Sequence, residues 1–281
     1  MVNGKGDKWR GGWTSQYADN HNKIFGEKMN KIYIFDVDGT LTPSRQKMTE
    51  KFARFFDEWT SKNTYYLVTG SDLAKTQEQV PTAYIERANG IFTCCGNQLW
   101  REGNTKQWPI DLKLIYENKF NPPNNLLTYL GEQLRMTDYP VKAGNHIEDR
   151  GTLLNFSVVG RDCTLVQRKD YHEYDKVMDE RKGIAKYIRE NWSDIDAVIG
   201  GQISIDIYPK GNDKSQVLNV IKQDRLVKPN EYVFIGDGIE NGGNDYPLAK
   251  LLRNEDTPYG YTYQTDGWEH TKRILENTHN G

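Results

Sequence analysis

The stretch Lys31-Ile-Tyr-Ile-Phe-Asp-Val-Asp-Gly-Thr-Leu-Thr42 decides the fold. Four apolar or aromatic residues, Ile32 to Phe35, run unbroken into Asp36. A run without polar alternation reads as a strand buried on both faces, as in a parallel sheet. Asp36 then falls at the carboxyl end of that strand, where open α/β sheets place their ligands. Asp38 follows at once, and Gly39 lets the chain turn sharply away. Two carboxylates at the mouth of a sheet can hold a hard cation such as Mg²⁺ through oxygen. One of them can also attack phosphorus and form an aspartyl-phosphate. A turn that only ends a strand does not need several residue types fixed at once.

Outward from this stretch the chain keeps an α/β rhythm. Thr49 and Glu50 open a segment with Phe52, Phe55, Phe56 and Trp59, the spacing of an amphipathic helix. Tyr65 to Val68 reads as the next strand and runs into Thr69-Gly70-Ser71-Asp72. A helix from Asp72 to Val80 is expected, with Asp72 as its N-cap. Gly90 to Thr93 gives a short strand ending at Cys94-Cys95-Gly96-Asn97. The character changes near Pro109. Leu112 to Leu134 reads as mostly helical, Leu153 to Val159 and Ile203 to Tyr208 as strands, and Tyr174 to Trp192 as a helix. The alternation in Ile203 to Tyr208 predicts a half-buried antiparallel strand. From Pro209 the rhythm resumes, with a helix after Lys214, a strand Tyr232 to Ile235 and the loop Gly236-Asp237-Gly238. A weak strand near Tyr259 to Tyr263 and a helix from Gly267 to Leu275 close the chain. The expectation is a Rossmann-like, doubly wound α/β core, 29–108 and 209–281, with an inserted α+β cap at 109–208. Residues 1–28, with Trp9-Arg10-Gly11-Gly12-Trp13, read as a polar N-terminal arm.

Composition narrows the partners. Of 281 residues 36% are hydrophobic, with 37 Lys and Arg against 39 Asp and Glu, a net charge of -2. Mean hydropathy is -0.81. No global basic field exists, so nucleic acid is disfavoured as the main partner. Three cysteines, Cys94, Cys95 and Cys163, show no regular spacing and suggest no disulfide framework or zinc site. No stretch approaches the ~20 apolar residues of a membrane span, and no apolar leader opens the chain. A soluble, cytoplasmic protein is expected.

The polar residues at the strand ends form one chemistry. Asp36 and Asp38 follow the first strand, Thr69 and Ser71 the second, Lys214 starts a helix and Asp237 ends a later strand. A carboxylate approaching a phosphate is opposed by roughly 4 kcal/mol per charge pair at about 4 Å and an effective dielectric of 20. Mg²⁺ on Asp36 and Asp237, with the Lys214 ammonium, would offset that repulsion. A Thr69 or Ser71 hydroxyl can donate to a phosphoryl oxygen, and Asp38 can pass a proton to the leaving oxygen.

This arrangement resembles the haloacid dehalogenase superfamily of aspartate-dependent phosphoryl transferases. The closer resemblance is to the alpha-type phosphomannomutases, from about Tyr33 to Leu248. It rests on Phe35 to Thr42 with Arg45, on Gly70-Ser71-Asp72, on Arg150 before Leu154-Asn155, and on Gly160 to Thr164 with Arg168. It rests also on Gly200 to Asp206, on Asp213-Lys214, and on the long loop from Gly236-Asp237 to Gly242-Gly243-Asn244-Asp245. The resemblance implies Asp36 as nucleophile, Asp38 as acid and base, and Mg²⁺ on Asp36, Asp237 and the backbone carbonyl of Asp38. It implies Arg45, Arg150, Arg161 and Arg168 as the grip on the distal phosphate of a hexose phosphate, with Ser204 and Asp206 binding the sugar or its phosphate. Guanidinium forks suit phosphate. A homodimer through the cap is implied as well.

Thr69 stands where the mutases have a glycine and where ordinary superfamily phosphatases have a threonine. Cys94-Cys95-Gly96-Asn97 replaces a Glu-Asn-Gly type turn, and the N-terminal arm has no counterpart. The leading expectation is interconversion of mannose 6-phosphate and mannose 1-phosphate. A phosphatase on the same scaffold, acting on a sugar or other small phosphomonoester, is the alternative. A non-catalytic phosphosugar-binding or nucleic-acid-binding protein is a third, opposed by the intact Asp36, Asp38, Lys214 and Asp237.

Overall fold

The structure, a computed structural model, describes residues 31–103, 111–224, 231–254 and 260–279. The N-terminal arm and the boundary at Pro109 lie outside these residues. Strand β1 (Lys31–Phe35) leads through helix α1 (Glu50–Thr60) to β2 (Thr64–Val68). Helices α2 (Leu73–Gln79) and α3 (Thr82–Arg87) precede β3 (Ile91–Thr93), β4 (Gln98–Glu102) and β5 (Leu112–Glu117). Then come α4 (Asn124–Met136), β6 (Ile147–Asp149), β7 (Leu154–Phe156), α5 (Leu165–Met178), α6 (Glu180–Asn191), β8 (Ile195–Gly200) and β9 (Ser204–Pro209). The chain returns through α7 (Gln216–Gln223), β10 (Glu231–Gly236), α8 (Tyr246–Leu252), β11 (Gly260–Gln264) and α9 (Trp268–His279).

Seven strands form one sheet in the order β11-β10-β1-β2-β3-β4-β5, and four form a second in the order β6-β7-β9-β8. The large sheet is parallel from β11 to β3, and β4 and β5 extend it antiparallel. The β1 run explains the layering. Tyr33 and Phe35 point into a cluster with Phe52, Phe56 and Trp59 of α1, Tyr84 of α3 and Leu275 of α9. Ile32 and Ile34 point the other way, against Val217, Leu218 and Ile221 of α7 and Leu248 of α8. Both faces are buried because helices cover both, the condition under which a strand can be apolar throughout. Phe35 meets Phe56 and Trp59 edge-on at centroid distances of 5.7 and 5.4 Å. Helix α1 starts where the sequence indicated: the Thr49 hydroxyl accepts from the Phe52 N–H.

The second sheet, with α4, α5 and α6, encloses its own core of Phe156, Tyr171, Ile184, Ile188, Ile205 and Ile207. The fold is thus a doubly wound α/β core carrying an inserted α+β cap. Several local expectations are corrected. Leu112–Glu117 is a strand paired with β4 in the large sheet, so it belongs to the core and not to a helical cap segment. Its leucines gave no periodicity to separate strand from helix in so short a run. Tyr174 to Trp192 is two helices, broken at Asp179, whose φ of 51° is left-handed. The strand expected over Leu153 to Val159 is confined to Leu154–Phe156. Strand β9 is not half-buried: Ser204 to Tyr208 are all buried, because helices cover one face and the polar cleft described next encloses the other.

Candidate active site

The two parts of the chain meet over a cleft of about 480 Å³ at the carboxyl ends of the parallel strands. Phe35 pairs with Leu67 on one side and Ile235 on the other. The residues just past these three, Asp36 beyond β1, Thr69 beyond β2 and Asp237 beyond β10, therefore arrive side by side. Asp36, Asp38, Arg45, Thr69, Ser71 and Asp237 line the cleft from the core, and Arg150, Arg161, Arg168, Ser204 and Asp206 from the cap. Lys214, fully buried, lies beneath it.

Lys214 Nζ donates to Asp36 Oδ1 and to Asp245 Oδ1, both at 2.6 Å. Burial alone would lower the Lys214 pKa, but the carboxylates of Asp245 and Asp36 outweigh it and raise it. Asp245 Oδ2 also accepts from the Gly238 N–H at 3.0 Å. Burial pushes Asp36 well above the usual carboxylate range, Lys214 pulls it back, and Asp245 and Asp237 push it further up. Asp237 is raised to about 7 by the protein packed around it and by Asp245, against the pull of Lys214. Oxygens of Asp36, Asp237 and Asp245 lie within 4.8 Å of one another. Three converging carboxylates share one ammonium, so the site is short of positive charge. A hard divalent cation fits that deficit and that all-oxygen donor set. Gly39, at φ +90°, leaves room for it: a Cβ there would sit 2.4 Å from Asp237 Oδ2.

The cationic wall stands opposite. Burial lowers Arg45 to about 10, and the neighbouring guanidiniums of Arg161 and Arg168 add to that shift. Arg161 and Arg168 are lowered as well, mainly by burial. Arg161 donates to the Ser204 hydroxyl at 2.9 Å. Crowded guanidiniums in a partly buried wall favour an anion. Glu148 pairs with Arg150 at 2.6 Å and with Arg161 at 3.4 Å, and Arg150 alone of these two also donates to the Gly70 carbonyl of the core, at 3.0 Å. Asp206 accepts from Asn155 at 2.6 Å. The Thr69 hydroxyl accepts from the Ser71 N–H at 3.1 Å. Cys94 and Cys95 are buried beside the cleft with Leu153 and Tyr208 of the cap, in structural packing.

Comparison with known proteins fits this geometry. The model of the eukaryotic phosphomannomutase family matches residues 52–279, a span that begins after the Asp36 loop. A phosphomannomutase of Encephalitozoon cuniculi is 37% identical over 220 residues, covering 77% of this chain and 83% of that protein. The chain belongs to the eukaryotic phosphomannomutase family. A second relative of this family, the phosphomannomutase of Galdieria sulphuraria, is 32% identical over 236 residues, 83% of this chain and 90% of that protein. Among solved structures, the IMP-nucleotidase of Plasmodium falciparum superposes with a TM-score of 0.58 at 16% identity, over 90% of this chain and 69% of that one. The C-terminal domain of Candida albicans trehalose-6-phosphate phosphatase gives 0.57 at 16%, over 90% and 92%. At such identities these share the fold alone, as does a haloacid dehalogenase-like hydrolase of Bacteroides thetaiotaomicron, with a TM-score of 0.52 at 14% identity over 89% of this chain and 99% of that one. Like its family, the chain is an enzyme.

Sequence reasoning missed four residues of the site. Asp245 was in sight, in the Gly-Gly-Asn-Asp loop, but nothing in that string showed that it shares Lys214 with Asp36. Asn155 stood in the Leu154-Asn155 match with no role given to it, and Glu148 carried no signal apart from its neighbour Arg150. Gln79, at the end of α2, carried none. Among the described residues no helix is long and apolar enough to cross a membrane.

Proposed function

We propose that the protein is a Mg²⁺-dependent phosphomannomutase that interconverts mannose 6-phosphate and mannose 1-phosphate through an aspartyl-phosphate on Asp36. The observation that carries this reading is one cleft with Asp36, Asp38 and Asp237 on the core side and Arg45, Arg161 and Arg168 facing them. A mutase must hold one phosphate while it transfers the other, and the cleft offers each its own set of groups. Asp36 attacks phosphorus, the bond from phosphorus to the sugar oxygen breaks, and Asp38 supplies the proton to that oxygen. In the reverse sense Asp38 takes the proton of the incoming hydroxyl as Asp36 releases the phosphoryl group to it. Mg²⁺ held by Asp36, Asp237 and the Asp38 carbonyl would neutralise charge on the phosphoryl oxygens. Lys214 keeps Asp36 oriented, the Thr69 and Ser71 hydroxyls hold phosphoryl oxygens, and Ser204 and Asp206 hold the sugar. The arginines bind whichever phosphate is distal, and the inserted block closes as a cap and keeps water from the aspartyl-phosphate.

A cytoplasmic location and a homodimer through the cap belong to the same reading. Exposed Leu165, Val166, Val177 and Met178 on α5 support a second copy there. The test is a time course with mannose 1-phosphate and a hexose bisphosphate, following mannose 6-phosphate and free phosphate. Isomer well ahead of phosphate is expected, together with a dimeric sedimentation coefficient. Free mannose and phosphate with no isomer would replace the mutase with a phosphatase. Phosphate incorporation into Asp36→Asn would remove the nucleophile assignment.

A further inference from the structure

Asp38 must hand a proton to one oxygen and take it back from another. Its own two oxygens are not equivalent. Oδ1 accepts from the backbone N–H of Arg45 and, at 3.0 Å, from Gln79 Nε2. An oxygen that faces two donors cannot carry a proton without setting hydrogen against hydrogen. The proton of Asp38 therefore belongs on Oδ2.

Gln79 is the last residue of α2 and is only 3% exposed. Its Nε2 also lies 3.4 Å from Thr42 Oγ1 and 3.5 Å from the Gln46 carbonyl. Its backbone carbonyl accepts from the Met48 N–H at 2.8 Å, which fixes the end of the helix. The surroundings decide which way the amide points. Exchanging its oxygen and nitrogen would set an acceptor against the Asp38 carboxylate and the Gln46 carbonyl, so the nitrogen faces them. A buried amide thus spans from α2 to the loop that follows β1, with its donor aimed at the acid and base.

We propose that Gln79 is a positioning residue for Asp38, holding Oδ1 so that Oδ2 alone carries and receives the transferred proton. This rests on the roles of Asp36 and Asp38 given above. In the forward step Asp36 bonds to phosphorus, the phosphorus–oxygen bond of the ester breaks, and the Oδ2 proton moves to the departing oxygen. Asp38 is left as a carboxylate with Oδ1 still held. The same Oδ2 takes the proton of the next hydroxyl. A donor whose leaving group is a weak base needs no proton. Acetyl phosphate is such a donor: acetate departs as the anion.

The experiment compares the rate at which two donors label Asp36 in single-turnover mixing. One is a hexose bisphosphate, the other acetyl phosphate. In Gln79→Met, which keeps the volume and loses the donor, labelling from the bisphosphate and isomerisation should fall roughly 10- to 100-fold, part of what general acid–base catalysis supplies. Labelling from acetyl phosphate should stay within about 2-fold, since its departing carboxylate takes no proton. Gln79→Glu keeps the length and, at a pH where its carboxyl is ionised, offers Oδ1 no donor, so the same divergence is expected there. Equal loss with both donors, or no loss with either, overturns the role of Gln79. If acetyl phosphate and the bisphosphate both fail to label the unaltered protein, the nucleophile reading beneath it falls first.

Discussion

At the residue scale the balance of charge turns on Lys214. It is fully buried, and it is the cation that joins Asp36 to Asp245. Replacing it with methionine keeps most of the volume and strands two buried carboxylates. Breaking a buried pair by removing one partner costs about 3–5 kcal/mol. Lys214→Met should therefore shift the urea midpoint well downward as well as abolish labelling of Asp36. A variant that loses labelling but unfolds at the unaltered midpoint would show that the carboxylates tolerate the loss by taking up protons, and that the ammonium is needed only by the chemistry.

At the scale of elements, helix α5 couples folding to binding. Thr164 caps it reciprocally: its hydroxyl accepts from the Gln167 N–H at 3.2 Å, while Gln167 Oε1 accepts from the Thr164 N–H at 2.9 Å. Arg168 sits on the turn that this box secures. Thr164→Ala should cost about 1 kcal/mol of stability and fray that turn, so KM for hexose phosphates should rise while kcat changes little. A fall in kcat with KM unchanged would contradict the coupling. Elements also differ in how well the sequence revealed them. Strands β1, β2 and β10 were legible because burial on both faces demands an unbroken apolar run. Helix α1 was legible because its cap and its aromatic spacing agree. Strand β5, at the sheet edge, leaves Leu114 and Ile115 exposed, so its apolar residues do not report burial. Strands β6 and β8 and the break at Asp179 depend on cap packing that no local pattern encodes. The core half of the site followed the strand ends and could be read from them. The pairings of Lys214 with Asp245 and of Gln79 with Asp38 join segments far apart in the chain, and only the assembled sheet brings them together.

At the scale of the whole molecule, cap and core touch beside the cleft. Arg150 reaches the Gly70 carbonyl, and Leu153 and Tyr208 sit on the Cys94-Cys95 turn, where both cysteines have positive φ, 50° and 59°. Both thiols are at most 2% exposed under that cover. Nothing can alkylate them until the cover lifts, so the turn is a clock for opening. The rate of iodoacetamide uptake at Cys94 and Cys95 should measure how often the cleft gapes. A bound hexose bisphosphate should slow that uptake, and Arg150→Gln should hasten it. Uptake that ignores both ligand and variant would mean that the thiols are reached by local loosening of the turn. Uptake that follows both ligand and variant would instead let the two native sulfur atoms time the enzyme's breathing.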